Sequence, residues 1–440
     1  MTEWEAAKEI AGRLHAAGHQ ALLAGGCVRD HLLDRKPKDY DIATSAKPTD
    51  VLKIFPKGNE VGAHFGVILV RHLGHMIEIA TFRTDGSYSD GRRPDHVVFA
   101  TAEEDAQRRD FTINGLYEDP RNGEVIDYVG GRADLDQRLI RAIGDPAARF
   151  QEDSLRLMRA IRFAGALDFA IEEKTWRAIC DHASLLERIS PERIREELSR
   201  MLVHPSRARA FVLLAESGLF RYFWPEVMEL IGCEQPPEWH PEGDVFIHTR
   251  IMLEMLEPDA PLELVLAVLL HDIAKPPTRT IDHESGGRIR FNGHDTLGAE
   301  MAAEMLRRLR YSNDVIDAVV PMVARHMQFM NVKQMRTAKL KRFMATPTFC
   351  HELELHRVDC ASSNGFTDNL EYLIAKREEF SQEPLIPAPL ITGRDLIQAG
   401  KRPGPLFTEI LDSIQVEQLE GRLHTREDAL AYFHQHWPTV

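Results

Sequence analysis

Apolar residues change their spacing once along the chain. Up to about Asp145, short apolar runs rich in β-branched residues alternate with turns, as in GHQALLAGG, GVILVRH and MIEIATF. Such runs are typical of short strands. From Ala147 onward, apolar residues recur every three or four positions, as in SLRLMRAIRFAGAL and RIREELSRML, which is typical of amphipathic helices. The pattern predicts an α+β segment, built as a small mixed sheet with helices, followed by an all-helical part.

Two proline-rich segments interrupt the helical pattern. Residues 231–243, IGCEQPPEWHPEG, contain three prolines and have no apolar periodicity, and residues 382–394, QEPLIPAPLITGR, also contain three. Proline lacks the amide hydrogen that a helix interior needs, so each segment marks a break. With the change near Asp145, these breaks predict four domains, at 1–145, 146–235, 236–385 and 386–440. A chain of 440 residues is long enough for two to four domains.

The composition of the chain bears on its cellular location and on the redox state of its cysteines. No stretch approaches the about 20 consecutive apolar residues of a membrane span, and the first residues, MTEWEAAKEI, are unlike a signal peptide. Five cysteines are dispersed along the chain without a C-x-x-C pair, which indicates reduced thiols rather than a disulfide framework. We therefore expect a cytoplasmic protein that contacts no membrane.

The charge of the chain bears on nucleic-acid binding. A net charge of −14 is unusual for a protein that binds nucleic acid. Binding depends on the local field, however, and between Met301 and Ala345 nine basic residues accompany three acidic ones. This excess fits either a solvated helical face or a limited patch for transient RNA contact.

The segment from Leu22 to Thr44, LLAGGCVRDHLLDRKPKDYDIAT, combines two features that each occur often by chance. Gly25-Gly26 follows an apolar strand, and a turn without Cβ atoms lets backbone amides approach a triphosphate. Asp39 and Asp41 alternate with Tyr40, so on a strand both carboxylates point to one face. Two such carboxylates can bind a Mg²⁺ pair and thereby polarise an α-phosphate. In this order and spacing, the features predict a nucleotidyltransferase rather than a surface hairpin.

Polar residues downstream extend this site. Glu78, in HMIEIATF, is either a third acidic group beside Asp39 and Asp41 or a charged residue on an exposed strand. In QRRDFTINGL, Asp110 and Asn114 supply the acceptor and the donor that a ribose 2′-hydroxyl needs. On its own this segment predicts a capped helix start, and beside the first motif it predicts a ribose-binding element.

A third motif, QEDSLRLMRAIRFAG, carries Asp153 and Arg156 three residues apart on a predicted helix, hence on one face. The two side chains form either an intrahelical ion pair or a pair turned toward the edge of a base. Arginine offers donors and aspartate offers acceptors, so the second arrangement can complement the Watson–Crick edges of C and A. Nucleotides could then be selected without a nucleic-acid template.

These three motifs, with SPERIREEL at 190–198, closely resemble those of the class II tRNA nucleotidyltransferases, the CCA-adding enzymes, over about residues 21–227. The resemblance implies a polymerase-β-like head with a five-stranded sheet, followed by a helical neck, body and tail that grips tRNA. It implies that the catalytic Asp39 and Asp41 hold Mg²⁺, and that Asp153 and Arg156 act as an amino-acid template for CTP and ATP. The nucleotide-binding set that it implies is Gly25, Gly26, Arg29, Arg109, Asp110, Asn114, Asp153, Arg156, Arg159 and Arg162.

The helical part carries a second constellation of metal-binding residue types. His271-Asp272 ends the apolar helix LELVLAVLLHDIAK, and burying both side chains without a partner is costly. Imidazoles and carboxylates converging from separate helices suit Zn, Mn, Ni or Fe, and the alternative is a set of hydrogen-bonded core histidines. The predicted ligands are His248, His271, Asp272, His294, His326 and Asp359.

The order of these residues, with Lys275 after His-Asp, resembles the HD phosphohydrolase superfamily, whose pattern runs H…HD…D. The resemblance implies a divalent transition metal such as Ni²⁺, Mn²⁺ or Zn²⁺, with room for two metals if His294 and His326 take part. It also implies hydrolysis of 2′,3′-cyclic or terminal phosphates. Simple bacterial poly(A) polymerases share the nucleotidyltransferase core but lack such a domain.

We therefore expect an enzyme that adds C, C and A to the tRNA 3′ end from CTP and ATP. The alternatives are an enzyme that adds only the terminal A, a bacterial poly(A) polymerase, or an HD hydrolase with a nucleotide-sensing head. Enzymes of the family that add only two cytidines tend to lack a flexible loop in the head. That loop is predicted between Arg83 and Arg93, as TDGSYSDGR.

Overall fold

The apolar runs at the start of the chain form the strands of one mixed sheet in the computed structural model, which describes residues 2–60, 66–86, 97–284, 286–363 and 365–438. The strand order is β3-β4-β5-β2-β1-β8-β9. The first nine strands are β1 (Ala21–Ala24), β2 (Asp41–Thr44), β3 (Asn59–Glu60), β4 (Val67–His72), β5 (His75–Thr81), β6 (Arg83–Asp85), β7 (Val97–Phe99), β8 (Leu116–Asp119) and β9 (Glu124–Asp127).

The sheet has seven strands within the described ranges, two more than the family resemblance implied, while β6 and β7 form a separate antiparallel pair. Among the strands of this sheet that the structure describes, the only parallel pairing joins β2 to β5 and sets Asp41 opposite Glu78. Buried residues such as Leu22, Phe82 and Tyr117 form a hydrophobic cluster on the sheet. This packing fixes the strand ends that carry the acidic residues.

The head and the following helices belong to one compact unit, made of residues 1–229, 257–259 and 305–311. Strands β10 (Leu139–Ile140) and β11 (Ala170–Ile171) form a short parallel pair in it. Within the unit, the buried Trp224 donates its indole N–H to the carbonyl oxygen of Met305, at 3.0 Å. The helices are α1 (Glu3–Ala16), α2 (Gly26–Leu32), α3 (Pro48–Ile54), α4 (Ala102–Arg108), α5 (Gly131–Asp136), α6 (Pro146–Glu152), α7 (Arg156–Leu167), α8 (Glu173–Asp181), α9 (Pro191–Leu202) and α10 (Arg207–Glu216).

One helix prediction in this unit is wrong. The motif that carries Asp153 and Arg156 does not lie on one continuous helix, because α6 ends at Glu152 and α7 begins at Arg156. Asp153 has extended backbone angles, φ −135° and ψ 100°. By contrast, the helix predicted from RIREELSRML forms α9, which begins at Pro191 with Ser190 as its N-cap residue.

The second compact unit contains residues 230–256, 260–304 and 312–440 and is mainly helical. An antiparallel hairpin of β12 (Thr280–Asp282) and β13 (Arg288–Arg290) adds a feature that the apolar pattern did not predict. The helices are α11 (Val245–Met255), α12 (Leu262–Leu270), α13 (Lys275–Thr278), α14 (His294–Arg308), α15 (Asn313–Arg325), α16 (Thr337–Met344), α17 (Phe349–Ser362), α18 (Asp368–Glu379), α19 (Gly393–Gln398), α20 (Pro405–Leu419) and α21 (Arg426–His436).

Helix α12 is the buried element of this unit. Every residue from Leu264 to Leu270 is buried, since the helix is apolar on all sides. His271 and Asp272 follow at its end and are 1% and 2% exposed. The two polar side chains at the end of this apolar helix therefore lie in the interior.

Across the described ranges, no helix combines the length and the apolar character that a membrane span requires.

Candidate active sites

A cleft of about 500 Å³ in the first unit gathers the residues that the sequence singled out. Every residue of the predicted nucleotide-binding set lies along it, together with both aspartates of the first motif. The lining consists of Ala24, Gly25, Gly26, Arg29, Asp39, Asp41, Arg108, Arg109, Asp110, Asn114, Asp153, Arg156, Arg159, Arg162 and Phe163.

Negative charge is concentrated at one side of this cleft. Asp39 precedes β2, Asp41 is its first residue, and Glu78 is the partner of Asp41 on β5. The protein atoms packed around it, followed by the charges of Glu78 and Asp39, raise the pKa of Asp41 to about 7, although Asp41 itself is exposed to solvent. Burial also raises the pKa of Glu78. Mutual repulsion of this kind is relieved by a bound divalent cation, so these three carboxylates fit a Mg²⁺ site.

Gly25, in the Gly25-Gly26 turn, leaves little room for a side chain. Gly25 has φ +74°, and a Cβ atom there would lie 2.9 Å from Nη1 of Arg109 and 3.6 Å from the carbonyl oxygen of Asn114. Glycine adopts this backbone conformation without strain. The turn therefore lets the backbone come close to the arginine that lines the cleft.

Four residues of the predicted nucleotide-binding set form one hydrogen-bonded network. Asn114 donates through Nδ2 to Asp110 at 3.1 Å and accepts at Oδ1 from Nη1 of Arg29 at 2.8 Å. Nε of Arg159 donates to the other oxygen of Asp110 at 2.9 Å. Burial would raise the pKa of Asp110, but the charge and hydrogen bonds of Arg159 outweigh it and lower that pKa to about 2. Asn114 lies in a 3-10 turn, residues Thr112–Asn114, rather than at the start of a longer helix.

Six arginines line the cleft, and each is held by a carboxylate. The pairs are Arg29–Asp30 at 2.7 Å, Arg108–Asp105 at 2.8 Å, Arg109–Asp105 at 3.1 Å, Arg156–Glu152 at 2.9 Å, Arg159–Asp110 and Arg162–Glu197 at 2.6 Å. Such pairing orients the guanidinium groups before a ligand arrives. The cleft therefore combines neighbouring carboxylates with oriented hydrogen-bond donors.

The sequence reasoning missed two residues of the first site. Asp105 is 1% exposed and receives hydrogen bonds from Arg108, Arg109 and the hydroxyl of Tyr117, the last at 2.6 Å. Its spacing of three and four residues from the two arginines was the available signal. Phe163, the second, has arginine side chains over its ring, with Arg162 4.2 Å from the centroid.

The broken helix separates Asp153 from Arg156. Arg156 is 7% exposed and donates to Glu152 and to the carbonyl oxygens of Arg149 and Arg108, at 2.9, 3.1 and 3.0 Å. Asp153 pairs instead with Arg193 of α9, at 3.3 Å. The expected shared helical face is therefore wrong, although both residues line the same cleft.

In the second unit, all six predicted metal ligands meet in one place. Ligand atoms of His248, His271 and Asp359 lie within 4.8 Å of one another, and so do those of Asp272, His294 and His326. The two groups are adjacent, since Asp272 lies 3.1 Å from Nε2 of His271 and 3.4 Å from Nε2 of His294. Nε2 of His294 is 3.1 Å from Nε2 of His326. The residues fit two neighbouring metal ions.

Each of the four histidines uses its Nδ1 atom to contact an oxygen behind the cluster. The contacts are His248 with Glu242 at 2.7 Å, His271 with the carbonyl of Val268 at 2.8 Å, His294 with that of Phe291 at 2.7 Å and His326 with that of Val323 at 2.6 Å. An Nδ1–H bond to such an oxygen leaves Nε2 free to bind a metal. Hydrogen-bonded core histidines would not require all four Nε2 atoms to converge.

The electrostatics of Asp272 and His326 support the same interpretation, whereas His248 differs. Burial lowers the pKa of His248, but its hydrogen bonds with Asp359 and Glu242 outweigh burial and raise that pKa to about 9. Burial raises and the charges of His271 and Lys275 lower the pKa of Asp272, and the net result lies well below its usual value. Burial, followed by the charge of His271, lowers the pKa of His326 to about 4. His326 is therefore neutral at pH 7, which is the state that binds a metal.

Glu242 and His240 were missed by the sequence reasoning. Glu242 accepts from His248 and also contacts Nδ1 of His240 at 2.9 Å. Both lie in the proline-rich segment 231–243, which was interpreted only as a domain break because it has no apolar periodicity. That pattern could not show that Glu242 contacts His248, one of the predicted metal ligands. Lys275, the residue expected from the H-D-x-x-K pattern, contacts Asp272 at 2.6 Å and donates to Gln235 at 2.6 Å.

The basic segment between Met301 and Ala345 is partly neutralised by ion pairs within the protein. Among them are Arg308 with Glu226 and Arg342 with Asp412, both at 2.6 Å. These pairs weaken the local positive field on which an RNA-binding patch would depend.

The loop predicted between Arg83 and Arg93 lies mostly outside the described residues.

Comparisons with known proteins cover both units. The profile of the Poly A polymerase head domain matches residues 21–141, that of the probable RNA and SrmB-binding site of polymerase A matches 168–231, and that of the HD domain matches 244–354. A CCA-adding enzyme of Geobacillus thermodenitrificans is 46% identical over 231 residues, 52% of this chain and 55% of the relative. The first relatives, from Geobacillus, are thus matched over about half of their length.

Longer matches extend over the whole chain. The crystal structure of the Bacillus stearothermophilus CCA-adding enzyme in complex with CTP is 28% identical, with a TM-score of 0.75, and the match covers 99% of this chain and 98% of that one. This likeness confirms the predicted fold class. A CCA-adding enzyme of Lactobacillus helveticus is 34% identical over 419 residues, 95% of this chain and 93% of the relative. The resemblance seen in the motifs is therefore confirmed, and the chain belongs to the family of CCA-adding enzymes.

Proposed function

We propose that this protein adds C, C and A to the 3′ end of tRNA, using CTP and ATP without a nucleic-acid template. The observation that carries the proposal is that Asp39 and Asp41 share one cleft with the Asp110–Arg159 network and with Asp153. Glu78 is the partner of Asp41 on the neighbouring strand. Cation binding, ribose binding and base selection then have residues in one cavity. The names of the relatives, CCA-adding enzymes, support the same activity.

The chemistry assigned to the cleft is nucleotidyl transfer. The tRNA 3′ oxygen forms a bond to the α-phosphorus, the bond from that phosphorus to pyrophosphate breaks, and the hydroxyl proton is released. Bound Mg²⁺ supplies charge neutralisation and a lowered hydroxyl pKa. Asp39 and Asp41 would hold the metal, with Glu78 beside them, while the paired arginines orient the phosphates. Asp153 and Arg156 are assigned to the base, Arg156 after exchanging its present partners.

The second unit is proposed to be a phosphohydrolase of the HD type. His248, His271, Asp272, His294, His326 and Asp359 would hold one or two divalent transition metal ions such as Ni²⁺, Mn²⁺ or Zn²⁺. The fit rests on the four Nε2 atoms and two carboxylates that converge there. The proposed domains remain 1–145, 146–235, 236–385 and 386–440, and the proposed location is the cytoplasm.

The decisive experiment incubates the protein with tRNAs that lack their last one, two or three nucleotides, and with each nucleotide in turn. Ordered addition of C, C and A that then stops is the expected result. Extension only of tRNA that ends in CC would mark an A-adding enzyme, and a long A tract would mark a poly(A) polymerase. No extension at all, with metal-dependent hydrolysis retained, would favour an HD hydrolase with a nucleotide-sensing head.

A further inference from the structure

Helix α9, which the structure describes throughout, lies outside the lining of the first cleft but contacts two residues of that lining. Arg193 donates to the carboxylate of Asp153 at 3.3 Å, and Glu197 accepts from Nε of Arg162 at 2.6 Å. Arg193 and Glu197 are four residues apart, so they lie on the same side of the helix. One side of α9 therefore holds one acidic and one basic residue of the cleft.

The two carboxylate oxygens of Asp153 have different surroundings. Oδ1 accepts from Nη2 of Arg193 at 3.3 Å and from the backbone N–H of Leu155 at 3.2 Å. Across the described ranges, no group donates a hydrogen bond to Oδ2. The residue lines the cleft, and its side chain is 21% exposed. Asp153 can therefore keep both present contacts through Oδ1 and accept a further hydrogen bond from a ligand through Oδ2.

The position of the Asp153 carboxylate depends on the contact with α9. The residue follows the end of α6 and precedes the start of α7, so its backbone is extended rather than helical. The N–H of Leu155 belongs to the same short connection, whereas Arg193 lies 40 positions downstream, on a separate helix. Without Arg193, the carboxylate would keep only the local hydrogen bond and could turn away from the cleft.

We propose that Arg193 is a positioning residue for base selection, because it holds Asp153 so that Oδ2 can accept from the amino group of cytosine or adenine. This assignment rests on the nucleotide addition proposed above. Cytosine and adenine carry an amino group where uracil and guanine carry a carbonyl oxygen. A fixed carboxylate oxygen accepts from the first two bases and repels the other two. Unlike Arg156, Asp153 needs no exchange of partners for this contact.

The alternative is that the Arg193–Asp153 pair only joins α9 to the connection between α6 and α7. A single, partly exposed ion pair contributes little to the free energy of unfolding. A purely structural role would also affect all nucleotides alike. A role in base selection changes the ratio between nucleotides instead, since CTP and UTP differ only in the base.

The test measures kcat and KM for CTP and for UTP on tRNA that lacks its last three nucleotides. Wild-type protein should prefer CTP. Arg193→Gln should lower the CTP-to-UTP ratio of kcat/KM about tenfold, the effect of one charged hydrogen bond, chiefly through a higher KM for CTP. Arg193→Lys should keep most of the preference, because the present contact is made through one nitrogen, which an ammonium group can replace.

Arg195→Gln is the matched control. Arg195 lies on the same helix, but it donates to the backbone carbonyl of Arg310 and does not line the cleft. The control should therefore leave the CTP-to-UTP ratio unchanged. A loss of preference in Arg195→Gln as large as that in Arg193→Gln would assign the effect to α9 as a whole and overturn the proposal.

The remaining outcomes separate this proposal from the proposed function. An unchanged ratio in Arg193→Gln, or an equal loss in Arg193→Gln and Arg193→Lys, would overturn the positioning role while leaving nucleotide addition established. If wild-type protein extends no tRNA, the proposed addition fails. Calorimetric titration with CTP and UTP then decides the binding question separately. A preference for CTP that Arg193→Gln loses supports the positioning role, and an absent or unchanged preference refutes it.

Discussion

Asp41 lies opposite Glu78 across the parallel pairing of β2 with β5 in the head sheet. A parallel register sets the two side chains on the same face, and the carboxylate of Asp39 reaches the same region. The strand pairing thus brings a residue from 37 positions downstream (78 − 41) to the Asp-x-Asp motif. Repulsion among the three groups is a structural cost that a bound cation would offset.

The first prediction concerns catalysis. Asp39→Ala and Asp41→Ala should each abolish nucleotide addition, because Mg²⁺ loses a ligand, while hydrolysis in the second unit continues. Glu78→Gln should lower the addition rate and raise the Mg²⁺ concentration that gives half-maximal activity. The measurement is extension of tRNA lacking CCA over a Mg²⁺ series. Retention of more than a few per cent of the rate in either aspartate variant would show that the metal ligands are misassigned.

Metal-free protein should reveal the repulsion as a pH-dependent stability difference. The pKa of Asp41 is raised to about 7 in the folded state, so between its unfolded value near 4 and pH 7 only the unfolded state is ionised. The native state therefore loses stability as pH rises through this range. Asp41→Asn should melt at a higher temperature than wild type at pH 8 with EDTA, and the difference should vanish near pH 3.5. Equal melting temperatures at both pH values would refute the assigned charge repulsion.

Substitutions at Asp110 and Arg159 should have non-additive effects on the free energy of unfolding. Arg159→Ala leaves the carboxylate of Asp110 buried without its cation, and the loss of a charged hydrogen bond destabilises by about 1.5–3 kcal/mol. Asp110→Asn removes the charge, so the double variant should be less destabilised than the sum of the two single variants. Urea unfolding of all four proteins gives the coupling free energy. Additive effects would mean that the pair contributes nothing measurable.

Tyr40 stands between Asp39 and Asp41, and its contact with His31 holds the segment that carries these two proposed metal ligands. Its hydroxyl lies 3.2 Å from Nε2 of His31, whose Nδ1 lies 3.0 Å from Glu118. Tyr40→Phe removes only the hydroxyl, so the segment before β2 should become less well positioned. We expect a several-fold higher Mg²⁺ requirement with KM for CTP nearly unchanged. A larger KM for CTP at saturating Mg²⁺ would place the effect in nucleotide binding instead.

The sequence predicted those parts of the site that depend on short-range pattern. The Gly-Gly turn, the Asp-x-Asp pair and His271-Asp272 were singled out because each is a local motif. The other four predicted metal ligands were singled out from their order along the chain, which resembles the HD pattern. The break at Asp153 was missed because the apolar spacing continues through it, and spacing does not reveal a local extended conformation. Asp105 and Glu242 were missed because their roles depend on tertiary contacts with Arg109 and His248.

The final prediction separates the two units. Asp272 contacts both histidine groups and Lys275, so Asp272→Ala should remove bound transition metal and divalent-metal-dependent hydrolysis. Nucleotide addition should persist, because its carboxylate cluster lies in the other unit. Metal analysis of the purified proteins, hydrolysis of a cyclic phosphate and a tRNA extension assay are measured on the same preparations. His326→Ala should have a smaller effect, because His326 belongs only to the second ligand group. If each group holds one ion, this variant should retain about half of the bound metal. If wild-type protein binds no transition metal and hydrolyses no phosphoester, the constellation is structural, and loss of Asp272 should then change only thermal stability.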